Sequence, residues 1–230
     1  MPDEVYELAW AEAQAICTTA RLGAPMHGIS WEQAVYNTIM NYWQDISYQP
    51  NARRHLHHYR YGGGADYREN VRALFTANPS IQTRIFSRIG YQLQARPRND
   101  SGSIIGHGRD DGLEPPIRQE DYDSTDWVNS NGNIDEVHWR LVNDYNPYDN
   151  RETEDRAYYL RAIRRGGVFL IDVEITIRDP YTWHPLETRP SQCIHQAMEL
   201  LKSAGAADYV TVGTSTLAMP SVYLPNWITR

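Results

Sequence analysis

Three features of the 230-residue sequence predict an α+β fold: an N-terminal helical part, then an antiparallel β-sheet of about four strands with one inserted helix. Residues 1–94 carry apolar positions at helical spacing, interrupted by Pro, Gly and Asn. Residues 95–134 are rich in Pro, Gly, Asn, Asp and Ser with little periodicity, and residues 135–230 hold runs that alternate with period two. These segments read as a helical part, a long irregular loop and a sheet module of one compact domain.

Residues 3–20 set Val5, Leu8, Ala9 and Ile16 on one helical face, with Asp3 able to cap the start and Gly23-Ala24-Pro25 ending the run. Ser30-Trp31-Glu32-Gln33 has capping-box form, and Val35, Ile39, Tyr42, Trp43 and Ile46 continue the stripe to about Ser47. The next segment, Asn51 to Gly64, places His55, His57 and His58 among Arg53, Arg54 and Arg60. Adjacent histidines share no face of a helix or strand, so a solvated basic loop is favoured over a metal site or an anion cradle at Gly62-Gly63-Gly64. Asp66 to Ala77 reads as a capped helix with Val71, Leu74 and Phe75 inward, and after Asn78-Pro79 a further helix repeats Ile81, Ile85 and Ile89.

In the long loop, Ser103, His107 and Asp110 are near in sequence, which is not triad geometry. Asp121, Asp123 and Asp126 alternate as in a calcium loop but lack its Gly and its closing Glu, so an ordinary polar loop is expected. Glu136 to Tyr145 alternates as a strand. The clearest signal is Gly166 to Tyr181, where Phe169, Ile171, Val173, Ile175 and Ile177 interleave with mostly polar residues, preceded by Ala157 to Arg164 as the other arm of a hairpin turning at Gly166-Gly167. Ser191 can cap a helix over Gln192 to Ser203, closed by Gly205, and Asp208 to Gly213 forms a last strand.

The composition, 41% hydrophobic and 22% charged with a mean hydropathy of −0.64, is that of a soluble globular chain, and no apolar run reaches the ~18 residues of a membrane span. A net charge of −7 argues against a partner held by its phosphates, so no nucleic-acid partner is expected. The N-terminus lacks the basic and apolar regions of a cleavable signal peptide, so synthesis in the cytoplasm is expected, which leaves export by a specialised secretion system open. Cys17 and Cys193 lack ligand spacing and read as two free thiols.

No standard catalytic signature is present, so chemistry rests on constellations. The densest lies after the hairpin, where Asp179, Tyr181, His184, Glu187 and Arg189 fall within a short loop punctuated by Pro180, Pro185 and Pro190. There Asp179 and Glu187 could hold a hard divalent cation, and the imidazole and guanidinium could meet an anionic substrate.

The amphipathic strand, the Asp179-Pro180-Tyr181-Thr182-Trp183-His184 run, the helix ending Leu200-Leu201-Lys202-Ser203-Ala204-Gly205-Ala206-Ala207-Asp208-Tyr209 and the strand Val210-Thr211-Val212-Gly213-Thr214-Ser215 form one sequence. Over roughly residues 125–215 it resembles the C-terminal module of bacterial polymorphic-toxin and secreted effector proteins. More distantly it resembles colicin M-type bacteriocins, which hydrolyse a lipid-linked peptidoglycan precursor with help from Mg²⁺. The resemblance implies an effector in interbacterial competition, a hydrolase of an anionic envelope precursor, with Mg²⁺ as cofactor and a lipid-linked substrate or an immunity protein as partner. Asp179 would be the metal ligand or acid/base group, Arg189 the anion clamp, and Tyr181 and His184 substrate-positioning groups. Thr182 and Thr188 stand where that pattern has an aspartate and a histidine, which leaves His184 or Glu187 to supply the missing proton chemistry. The competing expectation is a non-enzymatic interaction module that uses residues 95–134 and exposed aromatics.

Overall fold

The computed structural model describes residues 3–95, 101–106, 114–142, 164–165, 168–182 and 192–223. Its class is α+β, as the periodicities predict. The chain divides into two units, Met1–Tyr67 with Pro180–Val210 and Arg68–Asp179 with Thr211–Arg230, and each draws on both ends of the sequence.

The first unit is helical. Helix α1 (Asp3–His27) runs past Pro25, further than expected, because a proline in the last turn costs one hydrogen bond where few remain to be made. Gly28, at φ +62°, then stops it: Ile29 N–H donates to Ala24 O at 3.2 Å and Gly28 N–H to Pro25 O at 3.4 Å, a Schellman closure. Helix α2 (Trp31–Asp45) starts at Ser30, whose hydroxyl accepts from Gln33 N–H. The Gln33 side chain does not complete the capping box; it donates to Asn37 and accepts from Arg60.

Helix α3 (Pro50–Tyr61) replaces the expected basic loop. Pro50 supplies a preset first turn, and Ala52, His55, Leu56 and Tyr59 form the buried stripe at i, i+3, i+4 and i+7. Ile39, Leu56 and Tyr59, all inaccessible, pack with Met198 and Leu201, each burial contributing about 1.5–3 kcal/mol. A later helix, here α7 (Gln192–Leu201), closes this core. Cys17 and Cys193 join α1 to α7 as a disulfide across 176 positions, with Cα atoms 6.5 Å apart. The expectation of two free thiols is thus corrected: spacing in sequence carries no information about the approach of two packed helices.

The second unit packs α4 (Val71–Ala77) and α5 (Pro79–Ala95) on a sheet. Asn70 caps α4 through Ala73 N–H. Gly90 is required within α5, since a Cβ there would meet the Tyr223 carbonyl oxygen. The strands are β1 (Tyr67–Arg68), β2 (Ser101–Ile105), β3 (Glu136–Leu141), β4 (Arg164–Arg165), β5 (Val168–Tyr181) and β6 (Tyr209–Pro220), in the order β1-β6-β5-β3-β2, with β4 on β5. The path thus has five strands rather than about four, and the pairs β2/β3, β3/β5 and β4/β5 are antiparallel. Arg164 faces Phe169 and Arg165 faces Val168, the expected hairpin; residues 157–163 lie outside the described residues. On β5, Ile171, Val173, Ile175 and Ile177 are buried and join Val137, Trp139 and Leu141 in the core.

Many of the described residues of the long irregular loop lie in regular structure. It contains β2, a 3₁₀ turn at Gln119–Asp121 and α6 (Thr125–Asn131). Its order comes from α5: Arg84 donates to Pro116 O and pairs with Asp121 at 3.2 Å, Arg88 donates to Pro115 O, and Ser80 bonds Asp123. Asp121 and Asp123 thus anchor this segment to α5.

Candidate functional site

Asp179 and Tyr181 stand on either side of the boundary between the two units, and each belongs to the chemistry of its own. In the second unit Asp179 is 5% exposed. Its Oδ1 accepts the Asp135 N–H at 3.0 Å, which holds the chain as it enters β3. Burial pushes its pKa well above the carboxylate range, with the negative charges of Asp135 and Glu136 adding to the rise and the Asp135 N–H opposing it. Burial also raises Tyr122, as does the Asp179 charge, and the Tyr122 hydroxyl is buried without a hydrogen-bond partner among the described residues. Asp179, nearly inaccessible and with one oxygen on a peptide N–H, offers a cation little open coordination. Glu187, the second expected ligand, lies outside the described residues, as do His184 and Arg189. Among the described residues no group of three or more His, Cys, Asp and Glu is placed to hold a metal ion.

In the first unit Tyr181 stacks on Tyr209, ring centroids 4.7 Å apart and ring planes nearly parallel. Tyr209 in turn meets His55, whose Nδ1 is 2.8 Å from the hydroxyl. His58, also on α3, packs edge-on against Tyr209 and bonds Ala65 O at 2.6 Å. The histidine triplet thus separates by face: His55 is buried, whereas His57 and His58 are exposed or half-exposed. Tyr181 is here part of an aromatic core.

The constellation with the most chemistry was not in view from the sequence. It lies on the outer face of the sheet in the second unit. Ser103 on β2 is registered opposite His138 on β3, and His138 opposite Thr176 on β5. The Ser103 carbonyl turns away from β3 to accept from Gln92 Nε2, so Ser103 and His138 form a non-hydrogen-bonded pair, the kind in which side chains approach most closely. Ser103 Oγ lies 2.7 Å from His138 Nδ1. On the other side of the ring, His138 Nε2 lies 3.4 Å from Glu136 Oε2, two residues back on the same strand face. The row continues to Thr176, whose hydroxyl meets Thr214 at 2.8 Å.

The chain Ser103–His138–Glu136 has the connectivity of a nucleophile, a base and an orienting carboxylate. A neutral ring that keeps its proton on Nε2 for Glu136 leaves the Nδ1 lone pair to accept from Ser103 Oγ–H. The two ring nitrogens are interchanged relative to the common serine-protease arrangement. Ser103 neighbours His107 and Asp110 in sequence, and those two lie outside the described residues; the histidine that meets it is 35 positions away. Arg140, two residues beyond His138 on the same face, is 61% exposed and binds Glu174 through two nitrogens.

No protein-family model matches this chain, and no curated protein or solved structure is similar enough to match it.

Proposed function

We propose that the chain is an antagonistic bacterial effector that works outside the reducing cytosol as a hydrolase of an anionic envelope substrate. The observation that carries the hydrolytic part is the hydrogen-bonded chain from Ser103 Oγ through His138 to Glu136. In this reading Ser103 Oγ gives its proton to His138 Nδ1 as it attacks an electrophilic carbonyl or phosphoryl centre, and Glu136 balances the imidazolium that forms. The leaving group then takes the proton from Nδ1, and water repeats the sequence on the covalent intermediate. Arg140, two residues beyond His138 on the same strand face, is the cation that would meet a negatively charged substrate. Asp179 has a positioning part only, since it holds Asp135 and thereby the start of the strand that carries Glu136 and His138.

The effector part rests on the resemblance over residues 125–215. The extracytoplasmic part rests on the Cys17–Cys193 disulfide, a bond that persists in oxidising compartments. The test is bacterial growth with the chain expressed either in the cytosol or behind an export signal. Exported wild type should arrest growth, and exported Ser103→Ala, its fold verified by circular dichroism, should not. Ser103→Ala as toxic as wild type overturns the hydrolytic assignment.

A second reading, a non-enzymatic interaction module, is favoured by the exposed apolar residues of the first unit, among them Leu22, Met26, Ile46 and Tyr48. Absence of toxicity in both locations would select it.

A further inference from the structure

Ser103 stands on β2, the last strand of the sheet path, so among the described residues only β3 holds it by strand pairing. In a non-hydrogen-bonded pair neither the Ser103 N–H nor its carbonyl is tied to the partner strand. A nucleophile, by contrast, needs its oxygen held to within about 0.5 Å of its productive place. The side chain that grips this edge from elsewhere in the second unit is Gln92, in the last turn of α5.

Both ends of the Gln92 amide are committed. Oε1 accepts the Trp139 indole N–H at 2.7 Å, and Nε2 donates to the Ser103 carbonyl oxygen at 2.8 Å. An indole nitrogen can only donate, so the amide atom facing it is oxygen, which turns the amide nitrogen to the carbonyl. Gly102 makes the approach possible. A Cβ there would stand 2.8 Å from Gln92 Oε1 and 2.8 Å from Trp139 Nε1, so any other residue would lift β2 off the amide. Trp139 is 3% exposed and precedes Arg140 directly after His138 on β3. The path from the Ser103 carbonyl through Gln92 to Trp139 therefore ties the strand of the serine to the strand of the histidine, on the sheet face opposite the hydroxyl–imidazole contact. We propose that Gln92 is a positioning residue of the Ser103–His138 pair: its amide fixes β2 so that Ser103 Oγ stays 2.7 Å from His138 Nδ1. The consequence for rate rests on the hydrolytic reading, whereas the consequence for the His138 ring does not.

The experiment compares the full chain with Gln92→Met, which keeps the length of the side chain and loses both bonds. Its readouts are the ¹⁵N shift of neutral His138 Nδ1, assigned by its loss in His138→Gln, and hydrolysis of p-nitrophenyl butyrate. Ser103→Ala gives the shift of an Nδ1 without the hydroxyl. Gln92→Met should move the resonance at least halfway to that value. It should also lower kcat by about 10- to 100-fold with KM within about twofold, since a misplacement of about 1 Å can cost 10²-fold. Ile85→Val, a truncation in the buried face of the same helix, lowers stability without touching the amide and should leave both readouts unchanged. If Gln92→Met does not fold, Gln92→Glu replaces it: the carboxylate still accepts from the indole but has no hydrogen for the Ser103 carbonyl, and the same shift is expected. The proposal is overturned by an Nδ1 resonance that keeps its wild-type position in the Gln92 variant, that moves as far in Ile85→Val, or that coincides in wild type and Ser103→Ala. A resonance that moves as expected in a chain without esterase activity supports the positioning role and overturns the hydrolytic reading instead.

Discussion

His55 Nδ1 lies 2.8 Å from Tyr209 Oη across 154 positions of sequence, and the same hydroxyl lies 3.2 Å from the His55 carbonyl oxygen. The hydroxyl has one proton. It serves either the carbonyl, with Nδ1–H then donating to the hydroxyl, or a bare Nδ1. This pair ties α3 to the start of β6 inside the first unit and accounts for a histidine with no accessible surface.

Tyr209→Phe removes the hydroxyl that meets the buried His55 Nδ1 and carbonyl oxygen. The expected loss is about 1–3 kcal/mol, read as a lower thermal midpoint. Tyr181, which stacks on the same ring, should tolerate Phe with a far smaller change, because its stacked ring is kept. A Tyr209→Phe variant as stable as wild type would show the pair to be incidental.

Stability should fall as pH rises through the acid range, because of Asp179. Its folded-state pKa is raised by burial, so between the ordinary carboxylate value, about 4, and the raised value the folded chain binds the extra proton. Its contribution is complete below that ordinary value and is lost as pH climbs through the folded one. Asp179→Asn keeps an oxygen for the Asp135 N–H and cannot ionise. The variant should flatten this slope and gain stability relative to wild type toward neutral pH, measured as denaturant midpoints at a series of pH values. A slope identical to wild type refutes the assignment.

Reduction of Cys17–Cys193, or Cys17→Ser, should weaken the first unit. Closing a loop of 176 positions restricts the unfolded chain strongly, and removing such a bond costs about 2–5 kcal/mol. Hydrogen exchange should accelerate in α1 and α7, while β3 and the Val173–Ile177 part of β5, in the core of the second unit, keep their protection. Equal acceleration everywhere would mean that the staple acts on the whole chain.

Chelation separates two chemistries. If Ser103 is the nucleophile, hydrolysis of an activated ester such as p-nitrophenyl butyrate should persist in EDTA, and Ser103→Ala should abolish it by about 10³-fold or more. Loss of activity in EDTA, with Ser103→Ala unaffected, would return the chemistry to Mg²⁺ and the 179–189 loop.

Much of the fold was legible in local pattern. The alternation from Phe169 to Ile177 predicts β5 and its buried face, and Ile81, Ile85 and Ile89 predict the core stripe of α5. Helix α3 was legible too, had His55 been counted as an interior residue: Ala52, His55, Leu56 and Tyr59 have helical spacing, but histidines beside arginines read as polar. The order in residues 114–131 was not legible, because Pro, Asp and Ser there are held by Arg84, Arg88 and Ser80 on another helix.

What the sequence determined by itself is therefore the class and most of the regular elements, because periodicity is a property of neighbours along the chain. The tertiary structure alone decided which distant groups meet. Ser103 with His138, His55 with Tyr209, Asp179 with the Asp135 N–H and Cys17 with Cys193 are set by strand register and helix packing. A register shift of one residue turns a side chain to the opposite face of the sheet, so the Ser103–His138 contact exists only because packing the core fixes how β2 lies against β3.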